Sequence, residues 1–170
     1  DFYKRLNKMM DIAARSLKVK RTVTSKLLEE GLYPYTKRYL GNFDNHFSTI
    51  GLLGMNEVGL NAKWLGSNLT TKETQMFAKD VLNHMRERLS DYQELYGDLY
   101  NLEATPAEST MYRLAKHDRK QYPDIITATD AETPYYTNSS HLPVSFTDDI
   151  FSALEIQDEL QTLYTSGTVF

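Results

Sequence analysis

Cysteine is absent from all 170 residues, which excludes disulfides, cysteine-ligated zinc and thiol nucleophiles from this stretch. Also missing is any run approaching the ~18 apolar residues of a membrane helix. No basic leader followed by an apolar stretch opens the chain, so neither a membrane span nor a signal peptide is expected, and the sequence reads as cytoplasmic. Lys+Arg number 19 against 23 Asp+Glu, for a net charge of −4, and form no basic block. Nucleic-acid and membrane-surface binders rely on a basic face, so neither partner is expected, whereas a small phosphate-bearing ligand stays compatible. The G-x-G-x-x-G and G-x-x-x-x-G-K-[ST] phosphate loops are absent as well.

What is present is the composition of an ordinary soluble domain, 41% hydrophobic and 25% charged. The chain begins at Asp1 inside a helical pattern and stops at Phe170 inside a β-favouring apolar run, which suggests an excised piece.

Apolar residues at three and four spacing (Leu6, Met9, Ala13, Leu17, Val23, Leu27) predict a long helix ending at Gly31, with a break near Lys18 to Arg21. Residues 32–46 hold Pro, Gly and several Asn/Asp, and read as connecting structure. FSTIGLLG reads as a buried strand over 47–53, and Asn56 to Leu65 as a helix. A second long helix follows Thr70-Thr71 and ends at Gly97. DLYNLEA, 98–104, is the next strand, and Pro106 to about Asp118 the next helix. A long connection, 119–147, precedes a helix that starts at Thr147-Asp148-Asp149 and runs through Tyr164. The run SGTVF, 166–170, reads as a further strand. Strands separated by helices imply an α/β fold, helix-rich, with a parallel or mixed sheet and a single domain over 1–170.

Four places invite chemistry. In NLEATPAEST, Thr105 at the N-cap and Glu108 three residues inside form a capping box, with Pro106 at the first helical position. The same helix start could instead offer backbone N–H groups, with Ser109 and Thr110 hydroxyls, to a phosphate. A cap contributes ~1 kcal/mol, whereas Glu108 facing a phosphate about 5 Å away would cost ~3 kcal/mol per charge pair at an effective dielectric near 20. Glu108 must therefore turn toward the Thr105 N–H, or aside, for an anion to bind.

GLLGMNE, 51–57, places two glycines around a strand end and a helix start, which close helix–strand packing explains as well as a ligand does. PYYTNSSHLPV, 134–144, concentrates hydroxyls, an amide and an imidazole between prolines, as a ribose or carboxylate site or a polar turn would. His46, His84 and His117 have no partner at i+4, so surface and cap roles outweigh metal binding; Asp148-Asp149 fits first-turn acid better than a metal site.

Four strings carry a resemblance that local pattern does not: HFSTIGLLGMNEVGLN, LYNLEATPAESTMYRLA, PYYTNSSHLPV and DELQTLYTSGTVF. Together and in this order, densely from about Gly31 to Phe170, they resemble the anaerobic, class III ribonucleoside-triphosphate reductases. The resemblance implies part of a ten-stranded α/β catalytic barrel in a glycyl-radical enzyme that converts ribonucleoside triphosphates to deoxyribonucleotides. It further implies a glycyl radical installed by a radical-SAM activating enzyme, a thiyl radical on a barrel cysteine, and a four-cysteine zinc site. ATP or dNTP effectors, formate or a thiol reductant, and a homodimer complete that picture.

The absence of cysteine departs from it, so this piece is expected to hold no radical residue and to be inactive alone, with the thiyl loop before Asp1 and the zinc and glycyl loops after Phe170. What the resemblance assigns here is a substrate phosphate cradle at Thr105, Ala107, Glu108, Ser109 and Thr110. Asn138, Ser139, Ser140 and His141 are assigned a barrel-mouth role. A catalytically silent nucleotide-binding or interaction module, or a glycyl-radical enzyme of another substrate class, are the alternatives.

Overall fold

The computed structural model describes residues 1–129, 132–144, 146–147 and 149–166. Two compact units emerge, one of Asp1–Ile50 with Met85–Asn101, the other of Gly51–His84 with Leu102–Phe170. The elements in chain order are α1 (Phe2–Glu29), α2 (Pro34–Leu40), β1 (Ser48–Leu52), α3 (Met55–Asn61), α4 (Lys72–Tyr96), β2 (Tyr100–Ala104), α5 (Ser109–Gln121) and α6 (Ile150–Gln161). The class is mixed α/β: among the described residues β1 and β2 pair in parallel as a two-stranded sheet.

In the first unit α1 buries Met10, Ala14 and Leu28 and runs unbroken through Lys18 to Arg21, where a break was expected. Lys and Arg are good helix formers, and here both are anchored. Lys18 Nζ donates to Tyr96 C=O at 3.0 Å and to Asp98 at 2.9 Å, and the Arg21 guanidinium donates to the carbonyls of Phe43 and His46. The expected connection at 32–46 contains α2, because Pro34 sits at a helix start and Gly41, at φ 76°, caps its end. Tyr92 OH donates to Asp11 at 2.6 Å and Arg88 to the same carboxylate at 2.7 Å. The Tyr92 bond, then Arg88, hold Asp11 below the usual carboxylate range, and burial pushes the Tyr92 phenol up to about 12.

In the second unit, β2 alternates as its sequence requires, with Tyr100, Leu102 and Ala104 inward, the first of them on the portion grouped with the other unit. The helix expected at 56–65 starts at Met55 and stops at Asn61. α4 keeps the expected bounds, burying Ala78, Val81 and Leu82 on this side, each larger side chain contributing ~1.5–3 kcal/mol. α5 begins at Ser109 rather than Pro106. α6 starts as its acidic prelude suggests: Asp149 accepts from the N–H groups of Phe151 (3.2 Å) and Ser152 (3.3 Å). It ends at Gln161, short of Tyr164. Of the strand expected at 166–170, Ser166 lies in a turn and 167–170 fall outside the described residues.

Candidate functional site

Three of the singled-out segments meet in the second unit. At the β1–α3 step Gly54 adopts φ 78°, a conformation that favours glycine, and caps α3. Its N–H donates to Thr137 C=O at 2.7 Å, and Met55 N–H donates to Ser139 C=O at 3.1 Å. The loop after Pro134 thus closes this helix start with its own carbonyls. Leu53 bridges Asn138 in antiparallel fashion, which continues the grip along the loop.

Glu57, in the first turn of α3, is 1% exposed. Its carboxylate accepts from Thr137 N–H (2.9 Å), Thr137 O–H (2.7 Å) and Asn56 Nδ2 (2.9 Å). A buried carboxylate requires such donors, and the positive end of a helix favours the anion too. Asn56 is held in turn by Leu69 N–H, donating to its Oδ1 at 3.2 Å.

At the β2–α5 step the expected capping box does not form. Glu108 is the N-cap, makes no side-chain cap bond and takes φ 42°. The Thr105 hydroxyl makes only a long contact, 3.5 Å, to Glu103 C=O. The reason lies outside the local pattern: Asn138 Oδ1 accepts from Ala107 N–H at 3.1 Å, which holds the turn open for four residues past Ala104 before the helix starts. Thr110 N–H donates to Ala107 C=O at 2.8 Å. Among the described residues the N–H groups of Glu108 and Ser109 have no acceptor. Glu108, Ser109 and Thr110 are exposed, Thr105 is half-buried and Ala107 buried.

The two steps touch through Gly51. A Cβ there would fall on the Thr105 hydroxyl and lie 2.9 Å from the Thr105 Cβ, so only glycine permits the approach. Ser139 Oγ adds a donated bond to Thr105 C=O at 3.4 Å.

Within the loop the assigned residues part ways. Asn138 and His141 line a cleft of about 380 Å³ together with Thr137, Met111 and Gln157. Thr105, Ala107, Glu108, Ser109 and Thr110 do not line it, although Met111, the next residue along α5, does. Ser139 and Ser140 are fully buried. Ser140 C=O accepts from Gln157 Nε2 at 3.1 Å, and its hydroxyl meets Tyr164 OH at 3.1 Å. These bonds fasten the loop to α6 and the turn that follows it. Burial holds the His141 imidazole below its usual value and pushes the Tyr164 phenol up to about 12. Tyr136 OH donates to Asp118 at 2.8 Å, and burial followed by that carboxylate raises the phenol further.

Sequence reasoning passed over Glu57 and Thr137. One signal was available: from Gly51 to Leu60 only Asn56 and Glu57 are polar, and a carboxylate in so apolar a run must find donors. The histidines outside the loop stay apart. His46 packs edge-on against Phe43 and His117 lies 3.6 Å from Asp118; no group of three or more His, Cys, Asp or Glu that could hold a metal occurs among the described residues.

The family model "Anaerobic ribonucleoside-triphosphate reductase" matches residues 1–170. The anaerobic ribonucleoside-triphosphate reductase of Haemophilus influenzae is 25% identical over 185 residues, covering 99% of this chain and 26% of its own length. The Thermotoga maritima anaerobic ribonucleotide reductase, solved with dATP in its specificity site, superposes with a TM-score of 0.80 at 21% identity, covering 98% of this chain and 28% of that one. The same enzyme in complex with dATP and CTP gives 0.79 at 22% identity, covering 97% and 27%. The solved structures share the fold with this chain, which spans about a quarter of the curated relative. With its full length matched by the family model, the chain belongs to the anaerobic ribonucleoside-triphosphate reductase family.

Proposed function

We propose that this chain is the substrate-phosphate-binding part of the catalytic barrel of an anaerobic reductase that converts ribonucleoside triphosphates to deoxyribonucleoside triphosphates. The observation that carries the reading is the open start of α5, where the N–H groups of Glu108 and Ser109 lack acceptors among the described residues while Asn138 fixes the residue before them. Exposed donors at a helix N-terminus attract phosphate through hydrogen bonding and the helix dipole together. Backbone strain supports it: the non-glycine residues at positive φ among those described are Glu108 (42°) and Ser139 (43°), one in each assigned segment. Such conformations cost ~1–3 kcal/mol each and concentrate where a site requires them.

In this reading the donors at Glu108 and Ser109 hold phosphate oxygens, the Thr110 hydroxyl adds a contact, and Asn138 and His141 face the rest of the substrate from the neighbouring cleft. The complete enzyme would bring a glycyl radical, its radical-SAM activating enzyme, nucleotide effectors, a formate or thiol reductant and a homodimeric partner. The residues here do not fit a thiyl radical or a four-cysteine zinc site, since they include no cysteine. Their part is binding and orientation.

The test uses the complete reductase and equilibrium competition. A ribonucleoside triphosphate should displace a labelled triphosphate, whereas the matching nucleoside should not. Glu108→Gln removes a negative charge beside the phosphates and should tighten binding ~3–5-fold, the full Coulomb effect being reduced by solvent at this exposed position. Equal competition by the nucleoside, together with no change in Glu108→Gln, overturns the reading.

A further inference from the structure

We infer that Glu57 is a positioning residue for the open turn at Glu108 and Ser109, acting through Thr137 and Asn138. The inference rests on the phosphate reading above and deepens it. Glu57 is the acidic side chain buried among the described residues, and every partner it has is a neutral donor: Thr137 N–H, Thr137 O–H and Asn56 Nδ2. Apart from its own neighbour, all its bonds go to one residue 80 positions away. Thr137 is clamped from both sides, its N–H by Glu57 and its C=O by Gly54 N–H at 2.7 Å. The next residue along is Asn138, whose Oδ1 takes Ala107 N–H at 3.1 Å. A chain of contacts therefore runs from Glu57 to the turn, without Glu57 touching it.

A carboxylate suits this role where an amide does not. Thr137 presents two donors to Glu57, one to each oxygen, and Asn56 presents a third. A glutamine offers one oxygen and an NH2 group: turned so that its oxygen takes Thr137 N–H, its NH2 faces the Asn56 NH2, and turned the other way it faces Thr137 N–H, so in either orientation a donor meets a donor. Glu57→Gln keeps the side-chain volume but leaves one mismatched donor in the network that clamps Thr137, which loosens the clamp and with it the aim of Asn138.

The experiment uses the complete reductase and compares wild type with Glu57→Gln, Asn138→Ala and the double variant. Equilibrium affinity for a ribonucleoside triphosphate and amide hydrogen exchange at Ala107 are read together, with thermal melting to verify folding. Expected are a ~10-fold loss of affinity in Asn138→Ala, a ~5-fold loss in Glu57→Gln, and a double variant no weaker than Asn138→Ala, because residues acting through one contact are not additive. Ala107 exchange should accelerate in all three. Multiplied losses in the double variant, or a protected Ala107 amide in a folded Glu57→Gln, overturn the inference. Accelerated exchange with unchanged affinity throughout supports the linkage and overturns the phosphate reading instead. Should Glu57→Gln not fold, Thr137→Val removes only the 2.7 Å hydroxyl bond and should give the same pattern at ~2-fold, a protected Ala107 amide again counting against the inference.

Discussion

At the β1–α3 step the N–H groups of Gly54 and Met55 are satisfied by the carbonyls of Thr137 and Ser139, whereas at the β2–α5 step those of Glu108 and Ser109 meet no acceptor among the described residues. Both steps follow a parallel strand, both open a helix, and both are gripped by the same loop. The difference is which loop atoms arrive. Backbone carbonyls reach α3 and close it; two side-chain oxygens reach the turn before α5, Asn138 Oδ1 accepting from Ala107 N–H and Ser139 Oγ donating to Thr105 C=O, and they fix it while leaving the following donors open. A helix N-terminus is therefore a site only when the surrounding chain declines to fill it.

Disturbing the contact between the two steps should have the largest effect. Gly51→Ala drives a methyl into Thr105 and should destabilise the protein by about 2–3 kcal/mol, as overpacking of a tight approach does. Urea unfolding of the complete protein gives the value. Thr105→Ala in the same chain removes the hydroxyl, the atom most nearly overlapped, but keeps the Thr105 Cβ at 2.9 Å, so it should restore part of the loss; a double variant as unstable as Gly51→Ala would mean that the glycine matters for another reason.

Next in size is the strain confined to the open step. Glu108→Gly relieves a φ of 42° at an exposed position, offset in part by the greater freedom of glycine in the unfolded chain. A net gain of about 1 kcal/mol in stability is expected from the unfolding midpoint. The closed step provides the control: Gly54 already occupies its positive φ with glycine, and Gly54→Ala should lose about 1 kcal/mol where Glu108→Gly gains it.

Why one step was legible in the sequence and the other was not follows from distance along the chain. β1, α4 and β2 announce themselves by unbroken runs or periodic apolar faces, which are local and survive tertiary context. α2 was hidden because Pro34 and Gly41 signal both loops and helix ends, and the pattern between them is too short to decide. The capping box at Thr105 and Glu108 was locally consistent, yet an acceptor 31 residues away on Asn138 outcompeted it. The burial of Glu57 depends on a partner 80 residues away, beyond any window of periodicity. Resemblance over long strings assigned Ala107 to a phosphate cradle and Asn138 to a barrel-mouth role, but only the fold shows that the two residues touch and that Ser139 and Ser140 are anchors behind the cleft.

The smallest expected effect concerns the loop that closes the first step. His141 is buried, and its N–H donates to Asn138 C=O at 2.9 Å. Burial keeps its folded-state pKa below the ordinary 6.5, so as pH falls the unfolded chain takes up a proton on this imidazole before the folded chain does. The stability it contributes is therefore complete above the ordinary histidine range and is lost as pH falls from there through the depressed folded-state value. Urea midpoints measured from neutral pH to mildly acidic pH should decline, and His141→Gln should flatten that part of the curve while leaving the neutral-pH midpoint nearly unchanged. Equal slopes in wild type and His141→Gln would show that the loop around Asn138 is wet, and that the contrast between a closed step at α3 and an open one at α5 is weaker than its hydrogen bonds imply.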